Sequence, residues 1–595
     1  MKLGGKKKVA VKAGKLRRSQ LITTFGCGAI ASLPRESVVM AGTDYWKQDD
    51  CRLSEEILQS YLGVRYFVTP PGPEADEPGT ATPGIPAFRF PTWMYCPKCK
   101  RLASVRAFNF WRHPYCTKCR KRLVPSRFVV ACEQGHLDNF PYEWWVHRGQ
   151  ECKGERAPEL EISFSSKRSG LEGIVIKCKS CDAWRSMAGS IRREGLEGFP
   201  CSGARSWLND VDPSPCNEKV LTILRGATNL YFSVNVSALS IPPWSRKIQY
   251  ELGKKWRNLE PFLNDRPTFL AVVEGWRMTD DCGCTAEELW DQAKYKDEQR
   301  VTSGPKTWHE ILEGEYRAFL QGSKDQDGEF ITRNVPVPPL LANYVDRAVL
   351  AVRLREIMAL LGFKRINPEY DTDDPGTYNP VSRELKEWLP AIELKGEGIF
   401  LGFSEDTLKE WEQRLTVKMR YSSPRFNDHY LARKGSGFSA RYVLLHTLAH
   451  LLIRQIILDC GYASASLKER IYCTFADSER YLDMAGILIY TAATDAEGSL
   501  GGLVREGYPE RLENTFRRML EAASWCSEDP LCILSSGQGL DALNFAACHA
   551  CTLLPETSCE KRNCFLDRAA IVGTLEDRSL GFFSNLISRE AGNLE

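Results

Sequence analysis

The spacing of apolar positions changes character along the chain. From Ser19 to Gly42, in SQLITTFGCGAIASLPRESVVMAG, short apolar runs are broken by Gly and Pro, the pattern of strands and tight turns. A stretch rich in Pro, Gly, Ala and acids, TPPGPEADEPGTATPGIPAF from Thr69 to Phe88, then reads as an exposed loop and a domain boundary. Between about Trp93 and Trp244 the apolar runs stay short and alternate with turns and paired cysteines, which predicts small β modules. From about 250 to 430 the spacing lengthens to three and four residues, as in AEELWDQAKYKDEQ and NYVDRAVLAVRLREIMALLGF, and predicts a mainly helical region with loops. From about Ser439 a long apolar helix, YVLLHTLAHLLIRQIILDC, leads into the strand-like MAGILIYTAAT, the Gly-rich DAEGSLGGLV of residues 495–504 and a final cysteine-rich stretch. The expected architecture is multidomain α+β, in four segments. A basic tail and linker occupy 1–90, zinc-ribbon-like β modules 91–245, a mainly helical middle 246–438, and an α/β zinc-binding region 439–595.

Composition narrows this little. With 595 residues, 43% hydrophobic, 26% charged and a formal net charge of +3, nothing global points to disorder, an acidic partner or a membrane. Eight Lys or Arg and no acid fill the first eighteen residues, but no apolar core of a secretory signal follows. The most apolar segment is interrupted by two histidines, an arginine and a glutamine, so a buried helix is expected and no transmembrane one. The expected location is the cytoplasm. There, 22 cysteines with several CxxC pairs argue for metal, with zinc the default, over disulfides.

Three clusters carry that chemistry. Cys96, Cys99, Cys116 and Cys119 form two CxxC knuckles separated by sixteen residues, enough for a hairpin that closes a tetrahedron. All four places being filled by protein, such an ion braces the fold and catalyses nothing. Cys178 and Cys181, with Cys201 and Cys216, make a looser second group. At the C terminus Cys526, Cys532, Cys548, Cys551, Cys559 and Cys564 offer six thiols for four places; Cys548, Cys551 and Cys559 with Cys526 or Cys532 is the expected set, and His549 is expected to face away. Two or three structural zinc ions follow. Cys282 with Cys284, and Cys132 with His136 in ACEQGH, read as structural by default.

Between Pro91 and Cys132 stand ten Lys or Arg and no acid. Arg106, Arg112, Lys118, Arg120, Lys121 and Arg122 are the expected DNA contacts among them, and Trp93, Tyr95, Phe108, Phe110, Trp111 and Tyr115 are interleaved. Basic charge beside aromatic faces suits single-stranded nucleic acid, whose phosphates are neutralised while bases stack; the same aromatics also suit the small core a zinc ribbon needs. The chain lacks GxxxxGK[ST], so no motor site is expected, and no GxSxG nucleophile is present; no catalytic residue is assigned. A second reading is a metal-dependent hydrolase or nuclease at His446 and His450, one helical turn apart, with Glu469, Asp495 or Glu497 as the completing acid. Thr447 stands where HExxH has its glutamate.

Taken together, RRSQLITTFGCGAI, YCPKC with TKC, RFVVACEQGHLDNFP, LRGATNLYFSVNVSALSIPPW, LPAIELKGEGIFLGF, LLHTLAHLLI, CGYASASLKERIY, YTAATDAEGSLGGLV and NFAACHACTLLPETSCEKRN resemble the DrmB family of DISARM, a bacterial anti-phage defence island. From about Ser439 the chain is also similar to the zinc-binding domain of MrfA-type helicases. The resemblance implies a non-motor accessory subunit that pairs with DrmA, a superfamily 2 helicase, and engages DNA. Cys27 between two glycines, where the family pattern suggests proline, and the extra thiol of Cys564 depart from it.

Overall fold

The computed structural model describes residues 13–34, 36–46, 52–71, 84–108, 114–165, 169–302, 307–323, 327–369, 372, 374–423, 426, 438–474, 482–491 and 502–591. Two compact units emerge from its internal contacts. One comprises Met1–Arg52, Phe67–Val236 and Ala359–Ile392; the other comprises Leu53–Tyr66, Ser237–Met358 and Glu393–Glu595.

The first unit is built from short strands, as the broken apolar pattern requires. A six-stranded sheet is formed by β1 (Trp93–Tyr95), β2 (Arg101–Ser104), β3 (Val124–Pro125), β6 (Leu160–Phe164), β7 (Ile174–Cys178) and β8 (Trp184–Ser186), in the order β8-β7-β6-β2-β1-β3. A five-stranded sheet is formed by β4 (Phe128–Ala131), β5 (Leu137–Asn139), β9 (Ala204–Arg205), β10 (Asp210–Val211) and β11 (Leu221–Leu224), in the order β10-β9-β5-β4-β11. Helix α1 (Tyr142–His147) follows β5 and buries Tyr142, Trp145 and Val146 beside Leu102, Phe140, Ile162 and Ile176. Near the start of the chain Ile30–Ser32 pairs antiparallel with Ser37–Met40, as the Gly- and Pro-broken runs suggest.

In the second unit, α2 (Lys247–Leu259), α3 (Arg266–Gly275), α4 (Ala286–Thr302) and α5 (Trp308–Gln321) realise the predicted helical middle. The helices α2, α3 and α4 close on Leu252, Trp256, Phe269, Val273 and Leu289. After them the helical pattern gives way to strands: NYVDRAVLAVRLREIMALLGF is not a helix but holds a strand of twenty residues, Val345–Lys364, and Trp388–Phe403 is a second long strand. Labelling Phe232–Leu239 as β12, Val345–Lys364 as β13, Trp388–Phe403 as β14, Leu467–Cys473 as β15 and Ala485–Thr491 as β16, the sheet order is β12-β13-β14-β16-β15. A strand covered on both faces reads as a near-continuous apolar run, and its chance three-and-four spacing imitates a helix. Its charges have partners: Arg355 Nη1 donates to Glu55 Oε2 at 3.1 Å, and Glu356 accepts from Ser237 at 2.5 Å and from Tyr490 at 3.0 Å.

Helix α6 (Ala440–Cys460) is capped by Ser439 Oγ, which accepts from the Tyr442 N–H, and ends at Gly461 in the left-handed region. By length and composition it is apolar enough to cross a membrane, yet 72% of its apolar window is buried inside the protein. Leu444, Leu448 and Leu452 pack with Ile471 of β15, Ile487 of β16, and Phe516 and Met519 of α7 (Pro509–Ala523).

Candidate metal centres and the basic ribbon

The knuckles explain themselves from local geometry. After β1, Lys100 adopts φ +63° and turns the chain so that its N–H donates to Cys96 O at 2.9 Å, while Cys96 N–H donates to Arg101 O at 3.0 Å. The second knuckle repeats this residue for residue: Arg120 at φ +51° donates to Cys116 O, and Cys116 donates to Lys121 O, both at 2.8 Å. Cys99 Sγ stands 3.7 Å from Cys116 Sγ, and all four sulfurs of Cys96, Cys99, Cys116 and Cys119 lie within 4.8 Å of one another. The S···S edge of a tetrahedron with Zn–S near 2.3 Å is about 3.8 Å. Met94, Val105, Phe108 and Leu123 form the small apolar centre behind the sulfurs.

The expected second cluster divides in two. Cys178 and Cys181 meet His147 and Cys152, whereas Cys201 and Cys216 meet Cys132 and His136. The first of these groups sits at the end of β7, where Asp182 at φ +58° builds a third knuckle and Cys178 N–H donates to Ala183 O at 2.8 Å. His147, the last residue of α1, brings Nε2 to 3.3 Å from Cys181 Sγ, and Cys152 Sγ is 3.8 Å from Cys178 Sγ. The other group straddles the β4–β5 turn: His136 Nδ1 lies 3.4 Å from Cys132 Sγ and 3.5 Å from Cys201 Sγ, and Cys132 Sγ is 3.8 Å from Cys216 Sγ. A hydrogen bond from the Cys132 thiol pulls the Cys201 thiol well below its ordinary value. Sheet pairing separates the two halves of the sequence cluster, and spacing along the chain does not reveal it. The signals that do mark the missed donors are the Cys132–His136 interval and the unclaimed pair His147 and Cys152.

At the C terminus Cys526, Cys532, Cys548 and Cys551 assemble, with 526–548, 532–551 and 548–551 sulfur distances of 3.6, 3.7 and 3.7 Å. Both Cys526 and Cys532 belong, so the expected place of Cys559 is already filled. Cys559 stands elsewhere, its Sγ 3.2 Å from His446 Nε2. Cys564 is buried outside the groups, His549 is exposed, and Cys282 and Cys284 join no group among the described residues. Of the acids considered for the histidine pair, Glu469 is the one brought in: Oε1 is 2.9 Å from His446 Nε2 and 3.4 Å from His450 Nε2. Asp495 and Glu497, with most of the Gly-rich stretch, lie outside the described residues. All four members of this last group are buried. Burial lowers the pKa of His446, while the two imidazoles hold the Glu469 carboxyl below its usual range although burial opposes them. Where two or three ions were expected, donors converge in five places among the described residues. Four of them offer only Cys sulfur and His nitrogen, four donors each and no open position, which is the chemistry of structural zinc.

Around the first group the basic side chains point outward. Arg106, Lys118, Arg120, Lys121 and Arg122 are exposed, and none forms an ion pair among the described residues. Arg112, with Phe110 and Trp111, lies outside the described residues. The aromatics divide: Phe108 is fully buried with Arg101 over its ring at 5.0 Å, Trp93 and Tyr95 are half-buried against the core, and Tyr115 is exposed.

These groups on short sheets and a large apolar core define a zinc-binding α+β protein. A family model described as MrfA Zn-binding domain matches residues 448–552, and one described as a domain of unknown function, DUF8724, matches residues 17–232. The DISARM protein DrmB of Bacillus paralicheniformis is 34% identical over 580 residues, covering 93% of this chain and 99% of the relative. The chain belongs to the DrmB family of DISARM proteins.

Proposed function

We propose that this chain is a zinc-braced, non-motor accessory subunit of a cytoplasmic DISARM defence complex. In this reading it pairs with a DrmA-type superfamily 2 helicase and helps to hold DNA. The observation that carries the reading is the ribbon of Cys96–Cys119, where five exposed cations, without acidic partners among the described residues, surround a closed four-cysteine group. Four thiolates and one Zn²⁺ leave a formal charge of −2 at the group, less than the positive charge around it, so a surplus is offered to an anion. A phosphate backbone is the extended anion that such a surface fits. The absence of GxxxxGK[ST] from the sequence supports an ATPase supplied by the partner. The hydrolase reading has less support, because the histidine group is enclosed and its four donors leave no place for water.

The test has two arms. The purified chain mixed with a DrmA-type helicase is expected to co-elute on gel filtration, and separate elution defeats the pairing. Replacing Arg106, Lys118, Arg120, Lys121 and Arg122 by Ser is expected to weaken DNA binding by the complex and flatten its salt dependence, by roughly 0.9 in log–log slope for each phosphate no longer neutralised. An unchanged slope assigns those charges to balancing the thiolates.

A further inference from the structure

We propose that His446, His450, Glu469 and Cys559 hold a zinc ion of their own in a closed, buried site. It extends the zinc-braced reading to a group that lies partly outside the matched zinc-binding domain, since Cys559 follows residue 552.

The partner of His450 Nδ1 fixes which ring nitrogen carries the proton. His450 Nδ1 is 3.1 Å from the carbonyl oxygen of Thr552, which only accepts, so Nδ1 carries the hydrogen. In the neutral imidazole Nε2 is then a bare lone pair, and it faces Glu469 Oε1 at 3.4 Å, another acceptor. His450 Nε2 and Glu469 Oε2 are both buried without a hydrogen-bond partner. Two acceptors turned toward each other in a dry core require a cation between them or a second proton on the ring.

The sulfur favours the cation. Arg562 and Asn563 take φ +55° and +59°, which aims the N–H groups of Lys561 and Asn563 at Cys559 Sγ, at 3.4 and 3.2 Å. Backbone N–H donors point at Cys96 and Cys526 Sγ in the same way, each at 3.5 Å, inside the four-cysteine groups. Donors that cradle a sulfur stabilise its thiolate, and a thiolate beside a carboxylate is not balanced by one imidazolium. The neighbouring Arg470 is committed elsewhere, pairing with Glu315 at 2.5 Å. Two neutral imidazoles, a carboxylate, a thiolate and Zn²⁺ sum to zero charge. A neutral complex is buried at less cost than a four-cysteine site, at −2. The edges of 2.9, 3.2 and 3.4 Å lie at or somewhat below the roughly 3.3–3.8 Å of a tetrahedron with bonds of 2.0–2.3 Å.

The site joins α6, β15 and the C-terminal segment. It also meets the four-cysteine group through one residue, because Thr552 accepts from His450 through its carbonyl while its Oγ1 is 3.2 Å from Cys551 Sγ.

Elemental analysis of the full-length chain is expected to find five zinc ions, one per donor group, and four in Glu469→Gln. Crystals of the unmodified chain provide an arm that does not depend on a variant folding: an anomalous peak at the zinc edge is expected among these four donors. Four zinc ions in the parent, no loss in Glu469→Gln, or peaks at the other groups with none here would leave an imidazolium–carboxylate pair and overturn the proposal. Neither arm involves helicase or DNA, so failure here is distinct from failure of the accessory-subunit reading.

Discussion

A histidine ligand is defined by its other nitrogen, and the two mixed groups of the first unit use opposite tautomers. His147 Nδ1 donates to Glu143 O at 2.7 Å and leaves Nε2 for the metal; His136 Nε2 faces Asp212 Oδ2 at 3.4 Å and leaves Nδ1. A carboxylate behind an imidazole orients the ring and raises its basicity, and losing it typically costs about 10–100-fold in metal affinity. Asp212→Ala is therefore expected to weaken zinc at the Cys132 group by about that factor, measured by competition with a chromophoric chelator, with the Cys96 group unchanged. Equal affinity in the two proteins would mean that the three thiolates position the ion unaided.

At the scale of elements, α6 organises the second unit, with leucines at every depth. Leu448 is fully buried in the main core, whereas Leu458 is 76% exposed near the C-terminal end. Leu448→Ala creates a cavity expected to cost about 2–5 kcal/mol. Leu458→Ala is expected to change stability by about 0.5 kcal/mol or less. Chemical denaturation of both variants checks this, and equal losses would mean that the helix is not seated as described. The same helix places His446, His450 and Arg454 at intervals of four, on one face. Arg454 Nη2 donates to Ala550 O at 2.8 Å and Nη1 to Leu553 O at 3.1 Å, so a single face holds both the histidine group and the backbone of the last knuckle. The strand β13 shows the opposite relation of pattern to element, because burial on both faces erased the alternation that marks β12 and β7.

For the whole molecule, the two units differ in what holds them. Among the described residues the ribbon centres on Met94, Val105, Phe108 and Leu123 around its cysteines, whereas the second unit has a continuous core through α6, α7, β15 and β16. A core that small does not support a fold without its metal. Stripping zinc with a thiol-displacing reagent is expected to expose residues 93–125 to protease well before 440–490, mapped by mass spectrometry of the fragments. Simultaneous cleavage of both regions would show that metal braces them equally.

Whatever local chemistry controls could be read from the order of residues alone. CxxC brings two sulfurs together over one tight turn, so the first group and the pairs Cys178 with Cys181 and Cys548 with Cys551 were legible, as were α4 from its three-and-four spacing and α6 from its long apolar run. The surface character of Arg106, Lys118 and Arg120 to Arg122 was legible for the same reason, since a run of cations without acids is costly to bury. Which donors share an ion emerged only in the folded chain. Cys178 and Cys201 part company because sheet pairing takes them to different strands, and Cys559 leaves the last cluster because its loop returns to α6 and β15. Folding also set the state of β13, whose two buried faces only neighbouring elements supply. Those outcomes depend on contacts between residues far apart in the chain, a distance that spacing does not encode.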